Sequence, residues 1–328
     1  MPKYSVIIPV YNRPQEIDEL LKSLTLVNYS NFEVIVIEDG SNLSSEDICD
    51  EYKGQLNLQY HYQDNTGPGL ARNKGAEYAQ GEYFLFFDSD CLIPSEYFNH
   101  VDASLDDIDC FGGPDMAHET FNTIQKAISY SMTSALTTGG IRGGKKKLDK
   151  FYPRSFNMGI KKDVYQKLNG FAKLRFGEDL DFSMRILESG FTTKLILEAG
   201  VFHKRRNNFR SFFKQVYNSG IARINLNYRH PGSLKLIHAI PTVFTLGYIL
   251  NLILGIAFPI LFILAFIPLF IFLIDASLST KSIKVGFVAS LAAFVQIFGY
   301  GLGFFSALIK RKLFKKQEFS AYEKNFYN

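Results

Sequence analysis

The sequence predicts an α/β protein with a mostly parallel, doubly wound sheet, followed by a helical membrane region. Up to about Tyr228, short apolar strands alternate with polar helical segments, the pattern of a parallel sheet with helices on both faces. Leu236 to Ile274 and Val285 to Ile309 are almost free of charge, and both exceed the ~18 apolar residues that indicate a membrane span. We expect three regions: a first domain over 1–230, membrane-embedded helices over 231–310, and a basic cytoplasmic tail over 311–328.

Strands and helices of the first domain alternate along the chain. The predicted elements are a strand over Tyr4–Val10, a helix through Leu26, a strand over Phe32–Glu38, a strand over Leu56–Tyr62, a helix over Gly69–Ala79 and a strand over Gly81–Phe87. In such a sheet ligands bind beyond the carboxyl ends of the strands. The loops after the strands are therefore where a site is expected.

The last of these strands ends in Asp88-Ser-Asp90, two carboxylates one residue apart. Because side chains alternate along a strand, Asp88 and Asp90 can point the same way and offer the oxygen ligands that Mg²⁺ or Mn²⁺ prefers. An acidic turn is the alternative, since Asp and Ser are ordinary turn residues. A second acidic loop, Asp39-Gly-Ser41, follows the second strand. Two acidic loops at one crevice favour a nucleotide with its metal ion.

Two other nucleotide-binding classes lack their fingerprints here. A dehydrogenase would place glycines after the first strand, where this chain has Pro9-Val-Tyr-Asn-Arg-Pro14. The glycine-rich Asn65–Gly69 lacks the lysine of a phosphate-binding loop, so it predicts a helix entry that positions Arg72 and Asn73. The three cysteines form neither a zinc spacing nor an even disulfide framework, and they indicate reduced thiols.

Gly177 to Gly190 predicts an amphipathic helix that opens on acids. Acids at a helix start are favoured by the macrodipole and by capping, which is the simpler interpretation. However, Glu178, Asp179 and Asp181 are more carboxylates than one cap needs. A carboxylate in this position can act as a general base on a hydroxyl.

Together these motifs resemble the family-2 glycosyltransferases, which have the nucleotide-diphosphosugar-transferase (GT-A) fold, over roughly residues 4–230. The resemblance rests on the order and spacing of eight segments: Ser5-Val-Ile-Ile-Pro-Val-Tyr-Asn12, Glu38-Asp-Gly-Ser41, Gly67-Pro-Gly-Leu-Ala-Arg-Asn73, Phe87-Asp-Ser-Asp90, Asn157-Met-Gly159, Gly170-Phe171, Gly177-Glu-Asp179 and His203.

The resemblance implies a role for each matching residue. On the donor side the implied roles are the base pocket for Pro9 and Tyr11, a nucleobase contact for Asp39, nucleotide binding for Arg72, a ribose or metal-linked contact for Asp88, and a metal ligand for Asp90 in a DXD motif. On the acceptor side they are the catalytic base for Asp179 and acceptor contacts for Glu178 and Asn157. His203 falls where some relatives place a further metal or diphosphate contact, and a purely structural histidine is the alternative.

The resemblance also implies an activity. The expected enzyme is an inverting glycosyltransferase that uses Mn²⁺ or Mg²⁺ and moves a sugar from a UDP- or GDP-sugar to a lipid-linked or surface-glycan acceptor, with no nucleic-acid partner. Two departures are seen: Glu38-Asp39 replaces the usual aspartate pair, and the Gln-x-x-Arg-Trp motif of processive synthases is absent from a chain without tryptophan. The second departure favours single-sugar transfer. Two alternatives stay open: a polyprenyl-phosphate glycosyltransferase, whose ionised acceptor needs no base, and a membrane scaffold with a vestigial nucleotide pocket.

The segment at about 208–229 interleaves basic and aromatic residues. It predicts an interfacial helix on anionic headgroups or, equally, a helix packed on the first domain with a solvated basic face. Leu236–Ile274 is too long for one span, and Pro259 suits a turn in a hairpin of two helices. In the last apolar segment Gly299, Gly301 and Gly303 permit close packing.

The charges around the apolar segments predict the orientation of the chain. Basic residues precede the first segment and follow the last, and both favour the cytoplasm, which requires an even number of crossings. Three apolar segments conflict with that requirement. Tyr4–Val10 is shorter than a secretory core, so we expect no signal peptide and a cytoplasmic first domain. The run Lys145–Lys147 is either a guide for a lipid diphosphate or part of a solvated loop over Gly139–Lys150.

Overall fold

The computed structural model describes residues 1–106, 108–118, 120–138, 151–174 and 176–316. The Gly139–Lys150 loop, with Lys145–Lys147, and the tail from 317 to 328 lie outside the described residues. The described chain forms two compact units. The sheet unit comprises residues 1–116 and 151–203, and the helical unit comprises residues 117–138 and 204–316.

The elements follow in chain order: β1 (Tyr4–Val10), α1 (Pro14–Thr25), β2 (Phe32–Asp39), α2 (Glu46–Tyr52), β3 (Leu58–Gln63), α3 (Pro68–Tyr78), β4 (Tyr83–Phe87), β5 (Cys91–Leu92), α4 (Tyr97–Asp102), β6 (Cys110–Gly112), β7 (Asp115–Met116), α5 (Thr123–Thr133), α6 (Ala135–Thr138), β8 (Asn157–Lys161), α7 (Lys162–Lys167), α8 (Glu178–Glu188), β9 (Thr193–Leu195), β10 (Val201–His203), α9 (Phe209–Arg229), α10 (Ile240–Gly255), α11 (Ile260–Ala265), α12 (Ile267–Thr280) and α13 (Ile283–Lys312). A short 3₁₀ helix, Leu236–Ala239, precedes α10.

Seven strands of the sheet unit form one sheet in the order β3-β2-β1-β4-β8-β6-β9. The strands from β3 to β4 are mutually parallel, with Tyr4 of β1 opposite Phe32 of β2 and Tyr83 of β4. β8 runs antiparallel to both of its neighbours, and β6 and β9 are parallel to each other. Among the described strands of this sheet β8 alone is reversed, which confirms the predicted mostly parallel sheet.

Helices cover both faces of the sheet, so its central strands are buried. Val6 and Ile8 of β1 pack in one core cluster with Leu20 of α1. Ile7, between them, packs in the cluster on the other face with Ala71 of α3. This alternation follows from the period of two along a strand. The strand order turns at β1, since β2 lies on one side and β4 on the other, and the loops after β1 and β4 therefore frame a crevice.

A second sheet of three short strands has the order β5-β10-β7. β10 is antiparallel to β5, with His203 opposite Cys91, and parallel to β7, with Val201 opposite Asp115. Because β5 follows Asp90 directly, this sheet brings a histidine and a further aspartate to the end of β4. Its strands are two or three residues long, too short for a periodic sequence signal.

The helical unit is built around α13, which packs against α5, α9, α10 and α12. Within the described part of the chain, three helical segments are long and apolar enough to cross a membrane: Leu236–Gly255, Ile260–Thr280 and Ile283–Lys312. They indicate membrane association, as the sequence predicts. Residues 204–230 belong to the helical unit, whereas the sequence predicts that the first domain extends to residue 230. The boundaries of independently folding domains stay a prediction.

Candidate active site

The loop after β2 carries the first predicted site residue. Asp39 is 3% exposed, and its carboxylate accepts hydrogen bonds from the backbone nitrogens of Thr66 and Gly67, at 2.9 and 2.8 Å. Gly40 has a φ of +73°, and a Cβ there would lie 2.5 Å from the Asn65 nitrogen, so only glycine fits where the two loops meet. Asp39 thus secures the entry to α3. Its contact with a nucleobase stays a prediction.

The loop after β1 presents Tyr11 to solvent, 43% exposed, and leaves Pro9 half-buried. Asn12 holds this loop to its neighbour: its Oδ1 accepts from the Asn42 nitrogen at 2.8 Å, and its own nitrogen donates to Ser41 Oγ at 2.7 Å. The loops after β1 and β2 therefore form one wall of the crevice, with the exposed Tyr11 ring on it.

Asp90 and His203 meet at the end of β4. Asp90 Oδ1 lies 3.1 Å from His203 Nε2, without the direction of a hydrogen bond, and this buried oxygen has no hydrogen-bond partner among the described residues. Asp90 Oδ2 is bound by the Arg13 guanidinium. Burial alone would raise the pKa of Asp90, but the positive charges of His203 and Arg13 hold it well below its usual range.

A divalent cation fits this pair. Asp90 Oδ1 and His203 Nε2, 3.1 Å apart, can both reach one ion, and carboxylate oxygen and imidazole nitrogen are common ligands. The Cys91 thiol belongs to the same group of atoms, which lie within 4.8 Å of one another. It donates to the Phe156 carbonyl, however, and burial raises its pKa well above the usual value, so a protonated, soft sulfur is a poor ligand for Mg²⁺ or Mn²⁺.

Asp115 lies on the far side of the His203 ring. Its Oδ2 is 3.6 Å from Nδ1, and the Phe156 ring stacks on the imidazole. Burial opposes protonation of His203, but the charges of Asp90 and Asp115 outweigh it and raise the pKa to about 10. A bound cation would replace the proton at Nε2, because a ligating imidazole nitrogen is unprotonated. Asp115 would then orient the ring from behind.

Arg72 connects the end of β4 with the start of α8. Its Nη2 donates to Asp88 Oδ1 at 2.5 Å and its Nη1 to Glu178 Oε1 at 3.3 Å. Arg72 is 2% exposed, and its guanidinium lies over the Phe171 ring. Burial would lower the pKa of Arg72, but Asp88 and Glu178 raise it above the ordinary value, so the group stays charged. Asp88, the more exposed carboxylate, faces the crevice.

The three acids of α8 have different surroundings. Asp181 pairs with Arg185 one turn later, at 3.0 Å, which is a structural role. Asp179 accepts a hydrogen bond of 2.5 Å from Arg154 Nε, and although burial opposes its charge, Arg154 lowers its pKa. For Glu178, burial and the nearby charge of Asp179 raise the pKa to about 7. The two adjacent acids, each 8% exposed, therefore differ in protonation near neutral pH.

Asn157 is placed differently from the other predicted site residues. It is 1% exposed, its Oδ1 accepts from the Tyr97 hydroxyl at 2.6 Å, and its Nδ2 donates to the Ala199 carbonyl at 2.8 Å. Both ends of its amide are thus used to hold β8 within the sheet unit. Its contact with an acceptor stays a prediction.

The structure brings together six predicted residues, Arg72, Asp88, Asp90, Glu178, Asp179 and His203. Three charged residues were missed by sequence reasoning: Arg13, Asp115 and Arg154. Arg13 lies in a loop already expected to line the site. Asp115 and Arg154 carry no motif of their own. Arg154 lies just before the Asn157–Gly159 segment, whereas Asp115 lies next to no predicted segment.

Comparison with known proteins gives a consistent result. Residues 5–168, half of the chain, match Glycosyl transferase family 2. The poly(ribitol-phosphate) beta-N-acetylglucosaminyltransferase TarS of Staphylococcus aureus is 38% identical over 111 residues, 33% of this chain and 19% of TarS. The minor teichoic acid biosynthesis protein GgaB of Bacillus subtilis is 26% identical over 213 residues, 62% of this chain and 23% of GgaB. These matches span less than a quarter of either relative.

Two solved structures share the fold. The mannosyltransferase PcManGT from Pyrobaculum calidifontis, in complex with GDP-Man and Mn²⁺, has a TM-score of 0.59 at 16% identity and covers 96% of this chain and 88% of its own. Residues 1–349 of S. aureus TarS, in complex with UDP-GlcNAc, have a TM-score of 0.50 at 20% identity and cover 93% of this chain and 91% of their own. At these identities the likeness establishes the fold.

Proposed function

Because the chain belongs to glycosyltransferase family 2, we propose that it is an inverting, metal-dependent, non-processive transferase that moves a sugar from a UDP- or GDP-sugar to a lipid-linked or surface-glycan acceptor. The observation that carries the proposal is the position of Arg72, which contacts Asp88 after β4 and Glu178 at the start of α8. It joins an acid pair suited to a nucleotide and a cation with an acid pair suited to a hydroxyl, across one crevice.

On the donor side the pocket would be lined by Pro9 and Tyr11, with Asp39 at the base and Asp88 at the ribose. Asp90 and His203 would hold a divalent cation, Mn²⁺ or Mg²⁺, which neutralises charge on a departing nucleoside diphosphate when bound. The GDP-Man and Mn²⁺ complex of PcManGT and the UDP-GlcNAc complex of TarS support these donor classes.

On the acceptor side Asp179 would remove the proton from the attacking hydroxyl. A base must be ionised, and Arg154 keeps Asp179 ionised although burial opposes its charge. Attack from the face opposite the leaving group inverts the anomeric carbon. Glu178, which retains a proton near neutral pH, would donate a hydrogen bond to the acceptor sugar.

The membrane association of the helical unit and the family relatives support the acceptor class. Three apolar helical segments among the described residues support membrane association, and the name of TarS refers to poly(ribitol-phosphate) and that of GgaB to minor teichoic acid. A lipid-linked precursor or growing surface glycan at the cytoplasmic face of the membrane fits both observations.

The test uses membranes that contain the full chain, Mn²⁺ and a panel of labelled nucleotide sugars, followed by solvent extraction. We expect label in a lipid or glycan fraction with one donor, and no label with Asp179→Asn membranes. Label that mild acid releases as free sugar would instead identify a sugar phosphate, the product of a polyprenyl-phosphate transferase. Absence of both transfer and nucleotide-sugar binding with every donor would overturn the proposal in favour of a scaffold.

A further inference from the structure

Within the helical unit, α9 runs alongside α13 in the same direction. Val216 of α9 contacts Gly299 of α13, and three turns further on Arg311 lies over the Tyr228 ring at 4.2 Å. Apart from Tyr228, which Arg311 contacts, the exposed residues of α9 are all basic: Arg210, Lys214 and Arg229. One side of α13 is therefore covered by a helix whose outer surface suits water.

α10 covers another side of α13 and runs in the opposite direction. The Thr242 hydroxyl, early in α10, donates to the Gly301 carbonyl at 3.1 Å. The Tyr248 ring, later in α10, lies 5.3 Å from the Phe294 ring, earlier in α13. α10 is therefore antiparallel to α13.

α12 is also antiparallel to α13. Phe272 lies 5.8 Å from Phe294, and Ser277, later in α12, contacts Gly286, earlier in α13. α10 and α12 thus point in the same direction. If both helices crossed the bilayer, the segment 256–266 that connects them would have to return across a ~30 Å hydrocarbon core. With six residues in α11 at ~1.5 Å each and five others at no more than ~3.6 Å each, this segment reaches at most about 27 Å.

Charged and apolar surfaces occur at the same height along α13. Beside the stretch 294–301, Lys214 is exposed on α9, whereas Val243 of α10 and Phe270 of α12 are 68% and 56% exposed. If α13 stood along the membrane normal, these side chains would share one depth, and a charged side chain in hydrocarbon is costly. At this height the polarity changes from one side of the bundle to the other, which favours an axis of α13 parallel to the membrane plane.

We infer that the helical unit lies flat in a single leaflet, and that no described helix crosses the bilayer. The outer faces of α10, α11 and α12 are immersed in acyl chains, α13 forms the middle layer, and α9 faces the headgroups and water. The immersed face is a continuous set of exposed apolar side chains that includes Val243, Leu250, Ile253, Ile263, Phe270 and Ile274.

Charge favours a lipid surface as the occupant of this face. Among the described residues of the helical unit, Asp275 is the sole carboxylate, whereas its exposed cations include Arg210, Lys214, Arg229, Lys235, Lys281 and Lys284. Such a surface is attracted to the anionic headgroups of a membrane. The flat arrangement also agrees with the preference of basic residues for the cytoplasm. With no crossing, the basic residues before the first apolar segment and after the last lie on the same side of the membrane.

The test measures depth in vesicles of phosphatidylethanolamine and phosphatidylglycerol that contain the full chain. Nitroxide labels are placed at Val243→Cys and Ile253→Cys, both highly exposed positions on α10, while the native cysteines are buried. We expect depths within about 5 Å of each other from oxygen and nickel accessibility, because ten residues along a crossing helix would separate them by ~15 Å. A separation of that size overturns the inference. Lys214→Cys should be nickel-accessible.

A second measurement does not depend on depth calibration. Cysteines at Ala257, between α10 and α11, and at Lys281, between α12 and α13, are treated in intact cells with a membrane-impermeant maleimide. Neither should be labelled in intact cells, and a control cysteine at the exposed Glu51 of the sheet unit should be labelled only once the cells are permeabilised. Labelling of the Ala257 or Lys281 variant in intact cells, with Glu51→Cys protected, would show a crossing helix.

Discussion

Arg154 Nε lies 2.5 Å from Asp179 Oδ2 and holds that carboxylate ionised at the start of α8. Among the residues that the structure describes, the neighbouring Glu178 has no basic partner as close: Arg72 lies at 3.3 Å and is shared with Asp88. Burial and the charge of Asp179 therefore raise the pKa of Glu178 to about 7. Two adjacent acids with opposite shifts indicate a division of roles, with Asp179 as proton acceptor and Glu178 as a partly protonated donor.

Replacement of Asp179 by Asn tests the base directly. The amide cannot take the hydroxyl proton, so we expect kcat to fall by about 10²–10⁴-fold. Donor affinity, measured by titration with the nucleotide sugar and Mn²⁺, should change less than threefold or so, since Asp179 lies on the acceptor side of the crevice. Turnover close to that of the unmodified enzyme would contradict the assignment of Asp179 as the catalytic base.

Replacement of Arg154 by Gln tests the role of the ion pair between Arg154 and Asp179. Without the guanidinium, burial dominates and the pKa of Asp179 rises, so the protonated, inactive form persists to higher pH. The acid limb of the kcat/KM profile should move toward neutral pH. Arg154→Lys should restore part of the shift, and Lys53→Gln, which breaks an exposed ion pair with Asp50, should leave the profile unchanged. An unmoved acid limb in Arg154→Gln would show that the pair is merely structural.

Glu178→Gln should change how stability depends on pH. The folded-state pKa of Glu178 is raised from 4.5 to about 7, so its contribution is fully present below pH 4.5 and is lost as pH rises to about 7. The loss is at most ~1.4 kcal/mol per pH unit over that window. Thermal unfolding followed by circular dichroism should show wild type losing stability relative to the Gln variant between pH 5 and 8. Parallel curves would contradict the raised pKa.

Substitutions of Asp90, Cys91 and His203 test which of these side chains bind the metal ion. Asp90→Asn and His203→Ala should each weaken Mn²⁺-dependent nucleotide binding by about tenfold or more, because each removes a ligand atom. Cys91→Ala is the matched control, since its thiol donates to Phe156 and should not bind the ion. Isothermal titration with and without Mn²⁺ separates the two effects. Equal losses in all three variants would place sulfur in the site.

The contact of α9 with α13 depends on glycine. A Cβ at Gly303 would overlap the carbonyl oxygen of Tyr217, so Gly303→Ala should separate the helices and cost about 1–3 kcal/mol. Gly247 of α10 has nothing within 4 Å of an added Cβ, and Gly247→Ala should leave stability unchanged or raise it by up to ~1 kcal/mol. Thermal unfolding in detergent measures both. Equal effects of the two substitutions would mean that helix propensity, and not close packing, determines the change in stability.

The elements with a clear period were predictable from the sequence. β1 has the predicted bounds, and β2, β4 and α3 lie within a residue or two of theirs, because alternating and continuous apolar runs carry strong local signals. The acidic residues after β2 and β4 were predictable as site candidates because the ends of parallel strands share one edge. β5, β7 and β10 were not, since strands of two or three residues leave no period.

The sequence by itself determined the fold class and the apolar C-terminal segments. It also marked Asp88, Asp90, Glu178 and Asp179 as candidate site residues, because all of these depend on local pattern and motif. Tertiary structure alone decided which charges meet. His203 reaches Asp90 only through the pairing of β10 with β5, and Arg154 reaches Asp179 from a separate segment of chain. Contacts between distant residues depend on packing, which no local period encodes. For the same reason only the packing around α13 shows that polarity changes across the helices.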